Sequence, residues 1–356
     1  MDYKKILVIN LGGIGDMVIS IPFLRGLRAS FPGAELHLLA TTSNSCVVKY
    51  SAYADRIHAF DMRAARPRDA LARPMCLVSA LRTVRALWRE RYDLAVNLIP
   101  LATTSSARKM EFLLAAIGAR VLAGRDTSGR GGFYDISVEE DDGFGMYDVR
   151  LHALLLTAIG GTPDDGQLEL PLSPSDEAEA DRVMKELGLN GGDTIIGLNP
   201  GSGWPSRRWP VRRYAETVDL LAELPGARFV ITGSRGESGL ARELASLTRV
   251  PVLDTTGRTS VMGMAALVKR LAVMITNDTG PMHVAIAAGT PTVAVIGPGH
   301  HRRFLKESGR VEIVRHETGC APCINIVCEN MKCLADITPG EVAGAALRLL
   351  GRGGAR

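Results

Sequence analysis

Aromatic residues are scarce in this sequence, and so are long apolar runs. Phenylalanine, tyrosine and tryptophan make up 5% of the 356 residues. Together with the lack of a recognised nucleic-acid-binding motif, this composition disfavours a nucleic-acid-binding function. The apolar runs, such as Ile6 to Ile9 and Thr292 to Ile296, are much shorter than the roughly 20 residues that span a bilayer. We therefore expect no transmembrane helix.

The amino terminus resembles a secretion signal only in part. Lys4 and Lys5 precede an apolar stretch, but that stretch is short and leads into Gly12 and Gly13 without a small-residue cleavage site. The sequence therefore predicts a protein that stays in the cytoplasm.

The length of the chain predicts two domains. With 356 residues, 46% of them hydrophobic and 22% charged, the chain exceeds the size at which one core usually stops growing. Apolar strand candidates alternate with helical stretches in each half, a pattern typical of a doubly wound α/β sheet. A turn-rich segment at 160–174 separates the halves. We predict a first domain over 1–170 and a second over 171–337, with a last helix at 338–356 that could complete the first domain.

A glycine-rich turn, Gly12-Gly13-Ile14-Gly15-Asp16, lies between the first strand and the first helix. Glycine lets backbone amides approach a ligand, and a helix amino terminus favours negative charge. A dinucleotide-binding fold would place an acid at the end of the second strand, where this chain has Ala40-Thr41-Thr42. A nicotinamide-dependent enzyme is therefore the less favoured alternative. Asp16 is either a helix cap or a general base at a ligand-binding strand end.

Three loops in the second half follow predicted strands and carry polar residues. Parallel sheets place such loops at one edge, where ligands bind. Glycine amides and guanidinium groups suit a diphosphate. The alternatives are solvated arginines in a turn, a helix cap at Asp278 and a core histidine at His283. The candidate nucleotide-binding residues are Ser206, Arg207, Gly233, Glu237, Asp278, Thr279, Gly280 and His283.

A cysteine cluster near the carboxyl terminus has two interpretations. Cys320, Cys323, Cys328 and Cys333 lie close enough in sequence to bind a structural zinc ion. Their spacing is not that of a standard zinc ribbon, however, so reduced structural cysteines are favoured. We expect no cofactor.

Arginines are concentrated between residues 63 and 91, with few acids among them. The net charge of the whole chain is only +4, so this excess is local. The segment either meets an anionic partner or forms a helix with a solvated basic face.

These motifs together resemble glycosyltransferase family 9, which contains the ADP-heptose:lipopolysaccharide heptosyltransferases. The strand Lys5 to Asn10 with its glycine turn, then Asn199 to Pro210, Gly233 to Glu237 and Asn277 to His283, occur in the family's order over nearly the whole chain. The resemblance implies a GT-B fold, in which two Rossmann-like domains face each other across a cleft. The first domain would bind the acceptor and the second the nucleotide sugar.

The resemblance also implies roles for individual residues. Asp16 matches the catalytic base of an inverting enzyme that needs no metal. Arg207 stands where the family often has lysine. Arginine keeps the positive charge but presents a planar guanidinium with several N–H donors in place of the compact ammonium group of lysine. Gly13, Arg63 and Arg66 match the acceptor-binding region, where the two arginines would hold phosphorylated core sugars.

We therefore predict a cytoplasmic enzyme, peripheral at the inner face of the cytoplasmic membrane. It would transfer heptose or a related sugar from an ADP-sugar to an anionic lipopolysaccharide core acceptor, without a metal and without contact to nucleic acid. The alternatives are a hexosyl or N-acetylhexosaminyl transferase of the same family, a nicotinamide-dependent oxidoreductase, and a non-catalytic protein that binds a sugar nucleotide.

Overall fold

The structure, a computed structural model, describes residues 2–61, 74–141, 145–190, 192–306, 308–323 and 325–353. The contacts divide the chain into two compact units. The first is Met1–Pro171 with Arg302–Phe304, and the second is Leu172–His301 with Leu305–Arg356. The division between Pro171 and Leu172 falls inside the turn-rich segment at 160–174.

The first unit is built on a parallel β-sheet. Its strands are β1 (Lys5–Asn10), β2 (Glu35–Thr41), β3 (Arg56–Phe60), β4 (Leu94–Asn97), β5 (Val121–Thr127) and β6 (Ile136–Glu140). Its helices are α1 (Ile14–Ser30), α2 (Pro74–Glu90), α3 (Thr104–Ile117) and α4 (Asp148–Ala158). The strands pair in the order β3-β2-β1-β4-β5-β6.

The second unit is built on another parallel sheet. Its strands are β7 (Thr194–Asn199), β8 (Ala227–Ile231), β9 (Val252–Asp254), β10 (Val273–Asn277), β11 (Thr292–Val295) and β12 (Val311–Val314). The remaining helices of the chain are α5 (Pro174–Glu186), α6 (Val211–Leu221), α7 (Ser238–Leu247), α8 (Val261–Val268), α9 (Gly280–Ala287), α10 (His301–Phe304), α11 (Lys332–Ala335) and α12 (Pro339–Gly353). These strands pair in the order β12-β11-β10-β7-β8-β9.

The central strands are buried along almost their whole length. Every residue of β4, β10 and β11 is buried, as are all residues of β1 and β7 after the first. Strands covered by helices on both faces need continuous apolar runs instead of alternating ones. The sequence has such runs, and the predicted α/β class with two Rossmann-like sheets is confirmed.

The strand order reverses once in each sheet. The reversal lies between β1 and β4 in the first sheet and between β10 and β7 in the second. In doubly wound proteins, ligands bind beyond the carboxyl ends of the strands at such a point. The glycine turn follows β1, and the loops 199–210 and 277–283 follow β7 and β10. Each candidate motif therefore lies at the ligand-binding edge of its own sheet.

The last helix belongs to the second unit, which corrects the expectation that it could complete the first domain. Val342, Ala345, Ala346 and Leu349 of α12 are buried in one core cluster with Trp209, in the second unit. Their spacing forms one apolar stripe of a helix. Hydrophobic burial therefore fixes α12 on the second sheet.

Within the described ranges, no helix is both long and apolar enough to cross a membrane.

Candidate active site

Two buried asparagines hold the glycine turn after β1. Asn10 accepts a hydrogen bond from the Gly12 N–H at 3.1 Å and donates to the Asp16 carbonyl at 3.1 Å. Asn44 donates to the Gly12 carbonyl at 3.0 Å. Because both side chains are buried, water competes little for the groups that form these bonds. They fix the turn and the start of α1.

Asp16 lies in the first turn of α1, and its side chain folds back over the glycine turn. Its Oδ2 accepts a hydrogen bond of 2.7 Å from the Gly13 N–H. A Cβ atom at position 12 would lie only 2.5 Å from the same oxygen. Glycine at position 12 therefore leaves the space that the carboxylate occupies.

The environment of Asp16 changes its acidity. Burial raises the pKa of Asp16 above the ordinary aspartate value, because the charged form loses hydration. The Gly13 N–H and the positive charge of Arg303 counteract this rise, whereas the negative charge of Asp148 adds to it. A carboxylate with a raised pKa is a stronger proton acceptor than a solvated one, which suits a general base.

Four charged side chains of the first unit form a buried network. Arg125 bonds to Asp148 at 2.8 Å and also to Glu140. Arg303 donates to the other oxygen of Asp148 at 3.0 Å. Burial opposes the ionisation of Asp148, but Arg125 and Arg303 hold the pKa of its carboxyl below the ordinary value. The network therefore stays charged and contributes to the electrostatic field at Asp16.

We expect Arg125→Met to lower the free energy of unfolding by about 3 kcal/mol, because it leaves Asp148 and Glu140 buried without this cation. Chemical denaturation followed by circular dichroism measures the change. Arg120→Met is the control, since the Arg120 side chain is 83% exposed and pairs with Asp93; its loss should cost less than about 1 kcal/mol. Equal stability of the two variants would contradict the importance of the buried network.

Asn277, at the end of β10, fixes the loop that follows β7. Its Nδ2 donates to the Pro200 carbonyl at 2.9 Å. Its Oδ1 accepts from the Trp209 N–H at 3.1 Å and from the Tyr214 hydroxyl at 3.0 Å. Trp209 and Tyr214 are fully buried. The loop 199–210 is thereby held against the carboxyl end of β10.

Arg207 and Asp278 form an ion pair at this edge of the second sheet. Nη1 of Arg207 lies 3.1 Å from Oδ2 of Asp278, and 19% of the Arg207 side chain is exposed. The guanidinium also stacks on the Trp204 ring, 4.4 Å from its centroid. Asp278 is buried, and a Cβ atom at position 299 would lie 1.9 Å from its Oδ2. The ion pair and the stack orient the guanidinium and leave part of it accessible to an anion.

The amino terminus of α9 adds backbone donors next to Asp278. Thr279 is the N-cap residue and Gly280 the first helical residue. The first amides of a helix have no partner within the helix and carry partial positive charge, which is an arrangement that binds phosphate. His283 is buried in the first turn of this helix.

Glu237 joins two neighbouring loops of the second unit. It ends the short 3₁₀ turn Arg235–Glu237, where its Oε2 accepts from the N–H and the hydroxyl of Ser234, both at 2.7 Å. A Cβ atom at position 201 would lie 1.9 Å from its Oε1, and one at position 233 would lie 3.2 Å from its Oε2. The absence of a side chain at Gly201 and Gly233 therefore lets this carboxylate lie against both loops.

The family model described as glycosyltransferase family 9 (heptosyltransferase) matches residues 80–334, most of the chain. The protein belongs to glycosyltransferase family 9. It is therefore an enzyme, a glycosyltransferase, as the sequence motifs predicted.

Two curated relatives are heptosyltransferases. This protein is 27% identical over 176 residues to lipooligosaccharide heptosyltransferase 2 of Campylobacter jejuni. The match covers 48% of this chain and 55% of that protein. It is 26% identical over 323 residues to lipopolysaccharide heptosyltransferase 2 of Escherichia coli, a match that covers 88% and 89% of the two proteins.

Solved structures show the same fold. A family 9 glycosyltransferase from Veillonella parvula has a TM-score of 0.79 at 23% identity, over 98% of both chains. An Escherichia coli heptosyltransferase solved with ADP has a TM-score of 0.72 at 17% identity, over 97% of this chain and 99% of that chain. The predicted GT-B fold is confirmed.

In this family 9 glycosyltransferase, Ser206, one of the candidate nucleotide-binding residues, is hydrogen-bonded to the cysteine-containing segment. Its hydroxyl donates to the Asn325 carbonyl at 2.5 Å, and its N–H donates to the Ile326 carbonyl at 3.1 Å. Both donors of Ser206 are therefore used within the protein, and its contact with the nucleotide stays a prediction. These bonds anchor the loop 199–210 to the cysteine-containing segment.

The predicted acceptor-binding residues of the first unit are described only in part. Gly13 is the N-cap residue of α1 and is exposed, and its N–H is bonded to Asp16. Arg63 and Arg66 lie outside the described residues.

The cysteine cluster extends from the surface to the core of the second unit. Cys320 is exposed, Cys323 and Cys328 are partly buried, and Cys333 is buried. Burial raises the pKa of the Cys333 thiol, so the neutral thiol is favoured there. The low acidity of this thiol supports the interpretation of Cys333 as a reduced structural residue.

One group of potential metal ligands lies in the first unit, at the edge opposite the glycine turn. Glu35, His37 and Glu90 approach one another closely enough to hold an ion. Nζ of Lys5, however, lies 2.9 Å from Glu35 and 2.8 Å from Glu90. The ammonium group already neutralises both carboxylates, so the group is a salt-bridge cluster.

Proposed function

We propose that this enzyme is an inverting, metal-independent heptosyltransferase that transfers heptose or a related sugar from an ADP-sugar to a lipopolysaccharide core acceptor. The observation that carries the proposal is Asp16. In a family 9 glycosyltransferase, a carboxylate at the ligand-binding edge of the first sheet has a raised pKa and a fixed position over the glycine turn. These are the properties required of a base that accepts a proton from a sugar hydroxyl.

The proposed reaction is a direct displacement at the anomeric carbon of the donor. The acceptor hydroxyl forms the new C–O bond while Asp16 takes its proton, and the bond to the nucleoside diphosphate breaks on the opposite face of the sugar. Attack from that face inverts the anomeric configuration. General-base assistance and orientation of the two substrates are the expected sources of rate.

The residues of the second unit would stabilise the leaving diphosphate without a metal. Negative charge develops on the diphosphate as the sugar bond breaks, and preoriented donors stabilise such charge most effectively. Arg207 supplies a guanidinium that is held by Asp278 and Trp204, and the amides of Thr279 and Gly280 supply a helix amino terminus.

The relatives support the proposed donor and acceptor. The Escherichia coli relative is named a lipopolysaccharide heptosyltransferase, and a related heptosyltransferase was solved with ADP. We propose the same donor class for this enzyme, with Glu237 and His283 at the nucleotide site. Gly13, Arg63 and Arg66 would hold the anionic acceptor, which would bring the enzyme to the inner face of the cytoplasmic membrane.

A donor screen tests the proposal. Purified enzyme is incubated with heptose-deficient core acceptor and with ADP-, UDP- or GDP-linked sugars, with and without a chelator, and the products are identified by mass spectrometry and NMR. We expect transfer from the ADP-sugar with an inverted anomeric centre and no loss of rate with the chelator. Transfer of a hexose or N-acetylhexosamine alone, or complete loss of rate with the chelator, would refute the specific assignment.

The raised pKa of Asp16 predicts the pH dependence. The base must be ionised, so the acid limb of the kcat/KM profile should lie above the pH of an ordinary aspartate. Arg303→Gln removes a positive charge that favours ionisation and should move this limb to higher pH. Asp148→Asn removes a negative charge that opposes ionisation and should move it to lower pH. Shifts in the same direction for the two variants would contradict this account.

A further inference from the structure

Large apolar side chains are exposed on two neighbouring helices of the first unit. On α2, Val78 is 46%, Leu81 is 62% and Trp88 is 44% exposed, and on α3, Phe112 is 77% exposed. Single exposed apolar residues are common on protein surfaces, but a contiguous group indicates an interaction site.

The exposed residues of α2 share one face of the helix with arginines. At 3.6 residues per turn, Val78, Leu81 and Trp88 fall within an arc of about 120° that also contains three arginines. These arginines are exposed: Arg82, Arg85 and Arg89. The opposite face carries Leu87, which is fully buried in the core. The helix is therefore amphipathic, with an outer face that is both apolar and basic.

Helix α3 continues this surface. Leu87 of α2 and Leu114 of α3 belong to the same core cluster, so both helices cover the same face of the sheet. Trp88 lies against the carboxyl end of α3, 3.7 Å from the Cβ position of Gly118. On α3, a shallow depression is lined by Thr104, Ser105, Arg108, Lys109 and Phe112.

Few acids oppose this charge in the described part of the two helices. Glu90 of α2 points away toward Lys5 and Arg56, with which it forms ion pairs of 2.8 and 2.6 Å. Glu111 is exposed on α3. Five basic side chains therefore face one acid on the outer surface of these helices.

We propose that the outer face of α2 and α3 docks this enzyme on an anionic phospholipid bilayer. A helix that lies in the membrane interface carries Trp, Phe or Leu on its apolar side and Lys or Arg beside them. The apolar side chains enter the acyl boundary, while the guanidinium groups contact lipid phosphates. The excess of five basic side chains over one acid matches a surface of closely spaced lipid phosphates, which favours a bilayer over a protein partner. The inference rests on the proposed function in one respect, because a lipid-anchored acceptor explains why such a surface is useful.

Cosedimentation with lipid vesicles tests the docking surface directly. The full chain is mixed with vesicles of phosphatidylglycerol and phosphatidylcholine, or of phosphatidylcholine alone, at low and high salt. We expect binding to the anionic vesicles that weakens with salt, and much weaker binding to the neutral ones. Each basic residue near an anionic surface strengthens binding about fivefold, so the triple variant Arg82→Gln, Arg85→Gln, Arg89→Gln should lose about 100-fold in affinity.

A second variant tests the apolar part. Leu81→Gln combined with Trp88→Gln should weaken binding to anionic vesicles about tenfold or more, because less apolar surface enters the interface. The matched control is Leu220→Gln with Arg212→Gln on α6, where both side chains are exposed, at 53% and 83%. The control should bind as the wild type does. Thermal unfolding checks that all variants fold.

The possible outcomes separate docking from catalysis. The docking proposal would be overturned if the wild type failed to bind anionic vesicles, or if the α2 variants bound them as tightly as the control. The proposal would also be overturned if light scattering showed that the wild type self-associates and that the Leu81 and Trp88 variant does not, because the face would then bind a second copy.

If vesicles are bound but no sugar is transferred to any acceptor, the docking proposal stands and the proposed function fails. If both hold, the α2 variants should lose activity on membrane-embedded acceptor and keep it on a water-soluble core oligosaccharide.

Discussion

Replacing Asp16 with asparagine is expected to lower kcat by about 1,000-fold, because the variant cannot accept the proton of the acceptor hydroxyl. Asparagine has nearly the same size as aspartate, and its side-chain oxygen can still accept the hydrogen bond from Gly13. The affinity for ADP should therefore change little. Steady-state kinetics measure the first effect and calorimetric titration with ADP the second.

A second aspartate provides a matched control for the helix-capping role of Asp16. Asp176 occupies the same position in α5, where its Oδ2 accepts from the Ser173 N–H at 2.8 Å. Asp176→Asn removes a comparable charge from the first turn of a helix but has no part in the proposed chemistry. It should leave kcat unchanged. If both variants lose activity equally, or neither does, Asp16 is only a helix cap.

Replacing Arg207 with alanine is expected to lower kcat/KM about 100- to 1,000-fold, because the leaving diphosphate loses an oriented positive donor. The affinity for ADP should also fall, since the proposed role of the guanidinium includes a contact with the ground-state diphosphate. Arg207→Lys keeps the charge but loses the planar fork and the stack on Trp204. We expect it to recover part of the rate.

The buried partner of Arg207 requires a second control. Arg207→Ala leaves Asp278 buried without its ion pair, and an unpaired carboxylate would itself repel a diphosphate. The double variant Arg207→Ala, Asp278→Asn removes that charge as well. If the double variant recovers wild-type ADP affinity, the loss in the single variant came from Asp278. A persistent loss of affinity assigns the effect to the missing guanidinium.

Much of the fold could be predicted from local sequence. A strand covered on both faces needs a continuous apolar run, and β1 and β7 have such runs, each ending in an asparagine before a glycine-containing loop. The α/β class and the positions of Asp16, Arg207 and Asp278 at strand ends followed from that pattern. Carboxyl ends of parallel strands meet at one edge, so side chains distant in sequence could be expected to share a site.

Contacts between distant segments could not be predicted in the same way. Arg125, Glu140, Asp148 and Arg303 show no common spacing or motif, and a buried arginine has the same sequence signature as a solvated one. Only the pairing of β5 with β6 and the packing of α4 bring the first three together. The hydrogen bond from the Ser206 hydroxyl to the Asn325 carbonyl likewise has no signature in the local sequence around Ser206.

The sequence by itself determined which segments become strands and helices, and it placed an acid and an arginine at two ligand-binding strand ends. Periodicity and glycine carry this information because they act through the local backbone. Tertiary structure decided the acidity of Asp16, the orientation of Arg207 and the attachment of α12 to the second sheet. Each of these depends on desolvation or on contacts with residues more than 60 positions away in sequence. Such residues come together only when the whole core packs.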